Sequence, residues 1–324
     1  MRCKPLSVLV LAGTVGIWFG GCSSLDIEAA RRLADNGTKA ATTVHDDSLQ
    51  AQQHTAQAVD SIALSKFLAN PKGSHTAVID ELDKEYATLQ QLLALRTTMY
   101  GELESVYVSF GDLVRFDVAA EMKNAADNFI GSANNFIKVI DTVSGATPIG
   151  AISAGAEKIT QTGFTILGEE AQKRRVANAS EVIRGAVERV AAAMAAEKVY
   201  AVSVRKGLAL QRQTLLTELE RHDLVSIEPL VAQAATQVGT EPAKDVGKRL
   251  SSDPALRNAF IAWQRRLFDR KVAAVEQNYE AQIGLLTALV AEHKKLEEGQ
   301  PIDLAMIEAW IGRLVQLQAA LAKS

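Results

Sequence analysis

From Ile79 to Phe110 the chain sets one residue of a stripe at alternating steps of three and four: Ile79, Leu82, Tyr86, Leu89, Leu93, Arg96, Tyr100, Leu103, Tyr107 and Phe110. All but Arg96 are apolar or aromatic. A strand would need period two, whereas this rhythm keeps every member on one face of a helix, as in a coiled-coil seam. Met122, Ala126, Phe129, Ala133, Phe136, Ile140 and Val143 repeat the rhythm in a shifted phase, and Val176, Ile183, Val187, Val190, Met194, Ala201, Val204, Leu208 and Leu215 carry it onward. No proline interrupts the chain from Ile149 to Glu228.

The breaks between stripes define the organisation. Asn70-Pro71-Lys72-Gly73 ends a thinner stripe through Val44, Val59, Ile62 and Phe67. Between Val106 and Val118 a β-hairpin turning at Gly111-Asp112 competes with a helix that stutters or breaks at Gly111, and because the hairpin would put Arg115 and Asp117 on the valine face, the helix is favoured. Ser144 to Gly150 fits a turn, so the flanking stretches 76–143 and 150–221, if helical, fold back as an antiparallel hairpin roughly 100 Å long. Ser226 fits a cap for a short helix entered with Pro229. Asp253-Pro254 reads as N-cap and first helical residue, opening a stripe through Leu256, Phe260, Trp263, Leu267, Tyr279, Ile283, Leu286 and Val290. Gly299 and Pro301 stop it, and Asp303 caps a last helix containing Ile307, Ile311, Leu314 and Leu321.

The expected fold is therefore all-α, an elongated antiparallel coiled coil or helical bundle. Its parts are an N-terminal helical segment over 22–70, the long hairpin over 75–222 with its turn near 144–150, and C-terminal helices over 226–324 packing on the bundle. Composition agrees, since only 5% of the 324 residues are aromatic while alanine and other helix formers abound.

Ahead of this body, Arg2 and Lys4 precede an uncharged run from Pro5 to Phe19, then Gly20, Gly21, Cys22, Ser23 and Ser24. A basic start, a short apolar run and small residues before a cut are the layout of a secretory signal over 1–21, and the run is short for a transmembrane span of about 20 residues. An ordinary signal cut elsewhere and an uncleaved anchor are the alternatives. Phe19-Gly20-Gly21-Cys22 resembles the lipobox of bacterial lipoproteins, with Phe19 where that family usually has leucine. The resemblance implies a thioether-linked diacylglycerol on Cys22, cleavage before it, and a further acyl chain such as palmitate on the new amino group. Ser23 after the cysteine implies, in a diderm host, the outer membrane facing the periplasm, with surface exposure also possible. Cys3 leaves with the signal, so Cys22 then has no disulfide partner in the chain, and no base near it suggests a nucleophile.

Little else carries chemistry. Removing residues 1–21 leaves 33 Lys and Arg against 38 Asp and Glu, a balance that argues against nucleic acid as the main partner. Asp47, Gln50 and His54 share a helix face, which reads as a solvated polar face more readily than as a metal site. Lys173-Arg174-Arg175 reads the same way. No phosphate loop, nucleophile elbow or paired-cysteine motif occurs, so no catalytic residue, cofactor or metal is expected and the chain is not read as an enzyme. The expected function is that of a lipid-anchored adaptor or tether in the cell envelope, with a protein partner or self-association through its helices. The alternative is a membrane-active, pore-forming-like protein that inserts the uncharged segment 142–156, rich in glycine and alanine, into a bilayer.

Overall fold

A computed structural model describes residues 25–115, 119–144, 169–222, 224–225 and 228–322. Asp26 opens the first helix, α1 (Ile27–Ala69), by accepting from the backbone N–H groups of Glu28 at 2.9 Å and Ala29 at 3.1 Å. Asn70 closes it, and Pro71 to Gly73 turn the chain into α2 (His75–Arg115). Then come α3 (Ala119–Ser144), α4 (Glu169–Arg221), the short α5 (Glu228–Gln237) and α6 (Val246–Ser252), α7 (Pro254–Glu297) and α8 (Ala305–Ala322). No strand occurs among the described residues. The chain is an all-α bundle.

Small residues make the first pairing close. The inward face of α1 carries Ala29, Ala30, Ala34, Gly37, Ala40 and Ala41, and α2 fills the space with Tyr100, Leu103, Tyr107 and Phe110, all buried. A Cβ built on Gly37 would fall on the ring of Tyr107, so only glycine permits this approach. Gly111, the expected site of a stutter, stays inside α2 and faces Ala34. Helix α3 then folds back along α2, with Phe110 and Phe129 at 6.4 Å between ring centroids and Ser109 bonded to Ser132 at 3.0 Å.

The next step departs from the expected hairpin. Along α3 the chain passes from Phe129, level with Phe110 and hence with His293 and Ser180, to Asp141, which pairs with Arg189 of α4 at 2.8 Å. Residue numbers rise together on the two helices, so α3 and α4 run in the same direction. The stretch 76–143 is thus two helices folded on each other, not one arm, and its pairing with α4 is antiparallel through α2 and parallel through α3. Apart from Ser144, which ends α3, the expected turn at 144–150 lies outside the described residues. Asp253 caps α7 by accepting from Ala255 at 2.9 Å and Leu256 at 3.2 Å, with Pro254 in the first turn. Helix α7 runs antiparallel to α1 and α4, and α8 returns along α7 and α1. At about 1.5 Å per residue the 43 residues of α1 and 44 of α7 span roughly 65 Å, which makes the bundle long relative to its width.

Candidate functional site

Polar side chains enter the core of this bundle along one seam, contributed by α1, α2, α4 and α7. At its middle, Asp47 of α1 is buried, although the sequence places it on a solvated face. Its Oδ1 accepts from Asn278 Nδ2 at 2.8 Å and its Oδ2 from Gln282 Nε2. The two amides are one turn apart on α7 and also bond each other at 2.7 Å. Beside them the exception in the α2 stripe finds its reason: Arg96 donates to the hydroxyl of Tyr279, and its guanidinium lies 5.2 Å from that ring's centroid. Tyr100 donates to Met194 Sδ at 2.7 Å, tying α2 to α4. Gln50 is half-buried and His54 exposed, so the three residues that share a sequence face do not converge.

About ten residues further along, a second group closes around His293, which has no exposed surface. Its Nε2 is hydrogen-bonded to the hydroxyl of Tyr107 at 3.0 Å, and its Nδ1 to Ser180 Oγ at 2.8 Å, the donor in each being set by the tautomer of the ring. Ser180 also reaches Glu297, and Arg184 Nε donates to both carboxylate oxygens of Glu297, at 3.1 and 2.9 Å. Burial holds the His293 imidazole far below its ordinary value, down to about 3, with the charge of Arg184 adding to the effect. Burial likewise pushes the phenols of Tyr100 and Tyr107 up and raises Glu297, against which the Arg184 and Ser180 contacts pull. A serine bonded to a neutral histidine has the parts of a nucleophile and base. Here neither has an exposed atom for a substrate to meet, because Ser180 is as completely buried as His293. What the pair does is join α2, α4 and α7 at a fixed register.

A pH dependence follows. In the unfolded chain His293 titrates near 6.5, whereas in the bundle it stays neutral down to about 3. Between those values only the unfolded chain takes the proton, so the stability contributed by the neutral form is complete above 6.5 and is lost as pH falls. Unfolding free energy from urea titrations is expected to drop by about 1 kcal/mol between pH 7 and 5.5, at up to about 1.4 kcal/mol per unit. The raised Glu297 works in the opposite sense at lower pH. His293→Gln should be less stable at pH 7 yet lose this slope; an unchanged slope in that variant would assign it to other groups.

Arg175 corrects another reading, since it is buried and its guanidinium is lowered by desolvation, while Arg174 is exposed. Gln172 beside it donates to the Val114 carbonyl at 3.0 Å. Cys22 and most of 142–156 lie outside the described residues. Among the described residues no three His, Cys, Asp or Glu side chains gather as a metal site, and no helix is long and apolar enough to cross a membrane. An open groove of about 640 Å³ between α7 and α8, lined by Gln277, Ala309, Gly312, Arg313, Gln316 and Leu317, brings one charged group and no convergent set. No family model, no curated protein and no solved structure matches the chain.

Proposed function

We propose that the chain is a lipid-anchored helical protein of the cell envelope that works as an adaptor or tether through non-covalent contact, without catalysis. The observation that carries this reading is the sequence Phe19-Gly20-Gly21-Cys22 behind a basic and then apolar start. The position of α1 supports it with a physical consequence. Helix α1 begins at Ile27, five residues after Cys22, and five residues extend at most about 17 Å. A diacylglycerol on Cys22 would therefore hold the α1 end of the bundle against the bilayer and point its roughly 65 Å length away from it. Two or three acyl chains make such attachment lasting, because each buried CH₂ contributes about 0.8 kcal/mol and one chain alone binds marginally.

The buried polar seam fits this role, because a rod that transmits position needs fixed helix registers more than it needs a cavity. The outer membrane facing the periplasm is the location that Ser23 favours, and a protein bound through exposed helix faces is the partner class. Fractionation of cells making Cys22→Ala tests the anchor. The variant should leave the membrane fraction and cease to incorporate radiolabelled palmitate, and retention in the membrane at the wild-type level would overturn the anchor.

A further inference from the structure

Helix α8 lies on the outside of the bundle. Ile307 and Leu314 on its inner side are fully buried, and Trp310 and Ile311 beside them pack partly into the core that α7 and α1 supply. A surface helix ordinarily carries charge on its other side, as α7 does with 12 Lys, Arg, Asp and Glu among its 44 residues. The 18 residues of α8 have two, Glu308 and Arg313. Ten residues between 305 and 321 are exposed, and seven of those are alanine, glycine, methionine or valine. Met306 is 56% exposed and Val315 52%. This is the composition of a covered helix on one that solvent reaches, which marks the face as a contact surface.

The exposed side has a register. With the seven-residue repeat labelled a to g, Ala305, Ala309, Gly312, Gln316 and Ala319 fall at steps of four and three and occupy d, a, d, a and d. Glu308 then stands at g and Arg313 at e, five residues apart on opposite flanks of that line. Both are exposed, and neither makes an ion pair among the described residues. The Arg313 guanidinium rests 5.6 Å from the ring centroid of Trp310, on its own helix. In parallel helices a g residue meets the e residue five positions on in its partner, so the two charges match each other in a second copy of this helix, twice over by symmetry. Antiparallel helices bring g against g and e against e and leave both charges unmatched.

We propose that α8 is the contact through which two copies of this chain pair, side by side and in the same direction. The small a and d residues let the two backbones approach closely, and a Cβ built on Gly312 meets nothing within 4 Å, so the space a second helix needs is open. Val315, at g like Glu308, faces the second copy's Ala320. Helix α8 is antiparallel to α7, since Asp303 donates to Glu292 at 2.7 Å and Trp310 lies over Gly284, and it therefore runs along α1. Parallel pairing thus brings the two Ile27 ends together. This names a partner for the adaptor proposed above without resting on a lipid at Cys22; if both hold, two anchors enter one bilayer. A helix face about 27 Å long and about 10 Å wide falls short of the ~800 Å² per partner of a standard interface, so the pairing is reversible.

The chain from residue 22 onward with Cys22→Ser retains every described helix and has no cysteine. Sedimentation equilibrium should show it passing from monomer to dimer with a Kd between about 1 µM and 1 mM. Glu308→Arg or Arg313→Glu alone sets like charges together at both symmetric sites and should weaken the dimer about tenfold, with the circular dichroism of the monomer unchanged. The two together restore opposite charges and should restore the affinity. Single cysteines report the direction: Ala305→Cys and Ala319→Cys should each form a disulfide with its own counterpart under mild oxidation. A chain still monomeric at about 1 mM, a charge swap that does not rescue, or a mixture of the two cysteine variants that links only 305 to 319 would each overturn the proposal. Loss of the Cys22 anchor in cells leaves these outcomes untouched, so the two readings fail separately.

Discussion

Gly37→Ala is expected to destabilise the bundle by roughly 3–5 kcal/mol, even though alanine favours a helix over glycine by about 1 kcal/mol. The added methyl lands on the ring of Tyr107, which is fully buried, and the ring has no free direction in which to yield. Sliding it away from α1 breaks its bond to His293 at 3.0 Å and leaves a hydroxyl and a ring nitrogen unsatisfied in the core. Splaying α1 from α2 instead opens the tight alanine face. Urea denaturation measures the loss directly. Gly131→Ala serves as the control, because a methyl there meets open space and should stabilise by up to about 1 kcal/mol. The two substitutions are chemically identical and should differ in sign. Repeating Gly37→Ala in a Tyr107→Leu background, where the ring is gone, should cost far less than in the native chain. A loss under about 0.5 kcal/mol in the native chain would mean that the helices do not approach this closely.

Asp47→Ala should cost roughly 3–5 kcal/mol by a different route, since it strands buried donors on Asn278 and Gln282 that have no water to turn to. Replacing Asp47, Asn278 and Gln282 together by leucine removes donors and acceptor at once and should restore most of that loss. The triple variant is then expected to unfold less cooperatively in calorimetry, because the polar contacts that fix α7 against α1 are gone. If the single variant were neutral, the carboxylate would have to be reaching solvent.

Much of the architecture was legible in the residues. The stripe positions Tyr100, Tyr107, Phe110, Phe129, Phe136, Val176, Ile183, Val187, Val190 and Met194 are all buried, and Asp253 and Asp303 cap the helices they precede. Local rules suffice for those features, since helical periodicity and orphan N–H groups depend on near neighbours. Helix direction does not. That α3 and α4 run parallel depends on which faces pair across the bundle, and no local rule shows which faces those are. The polar seam escaped for a related reason. Asp47 looks solvated because its partners are 231 and 235 residues away in the chain. The available signal was Arg96, a charge at a seam position, together with Asn278 and Gln282 flanking the apolar stripe through Tyr279. Both imply a core that holds hydrogen bonds, but neither names the partner.

The closing of α1 by the far end of the chain also orders events in time. Asp47 is satisfied only by α7, and the Thr43 carbonyl accepts from Gln318 of α8, 275 residues later. A ribosome that makes the chain from its N-terminus releases α1 and α2 long before those partners exist. Until Asn278 and Gln282 emerge, the alanine face can pair with α2 but the carboxylate beside it has no buried ligands, so the stable state is reached late. A chain built this way stays pliable through most of its synthesis and becomes rigid only once α7 can close on α1.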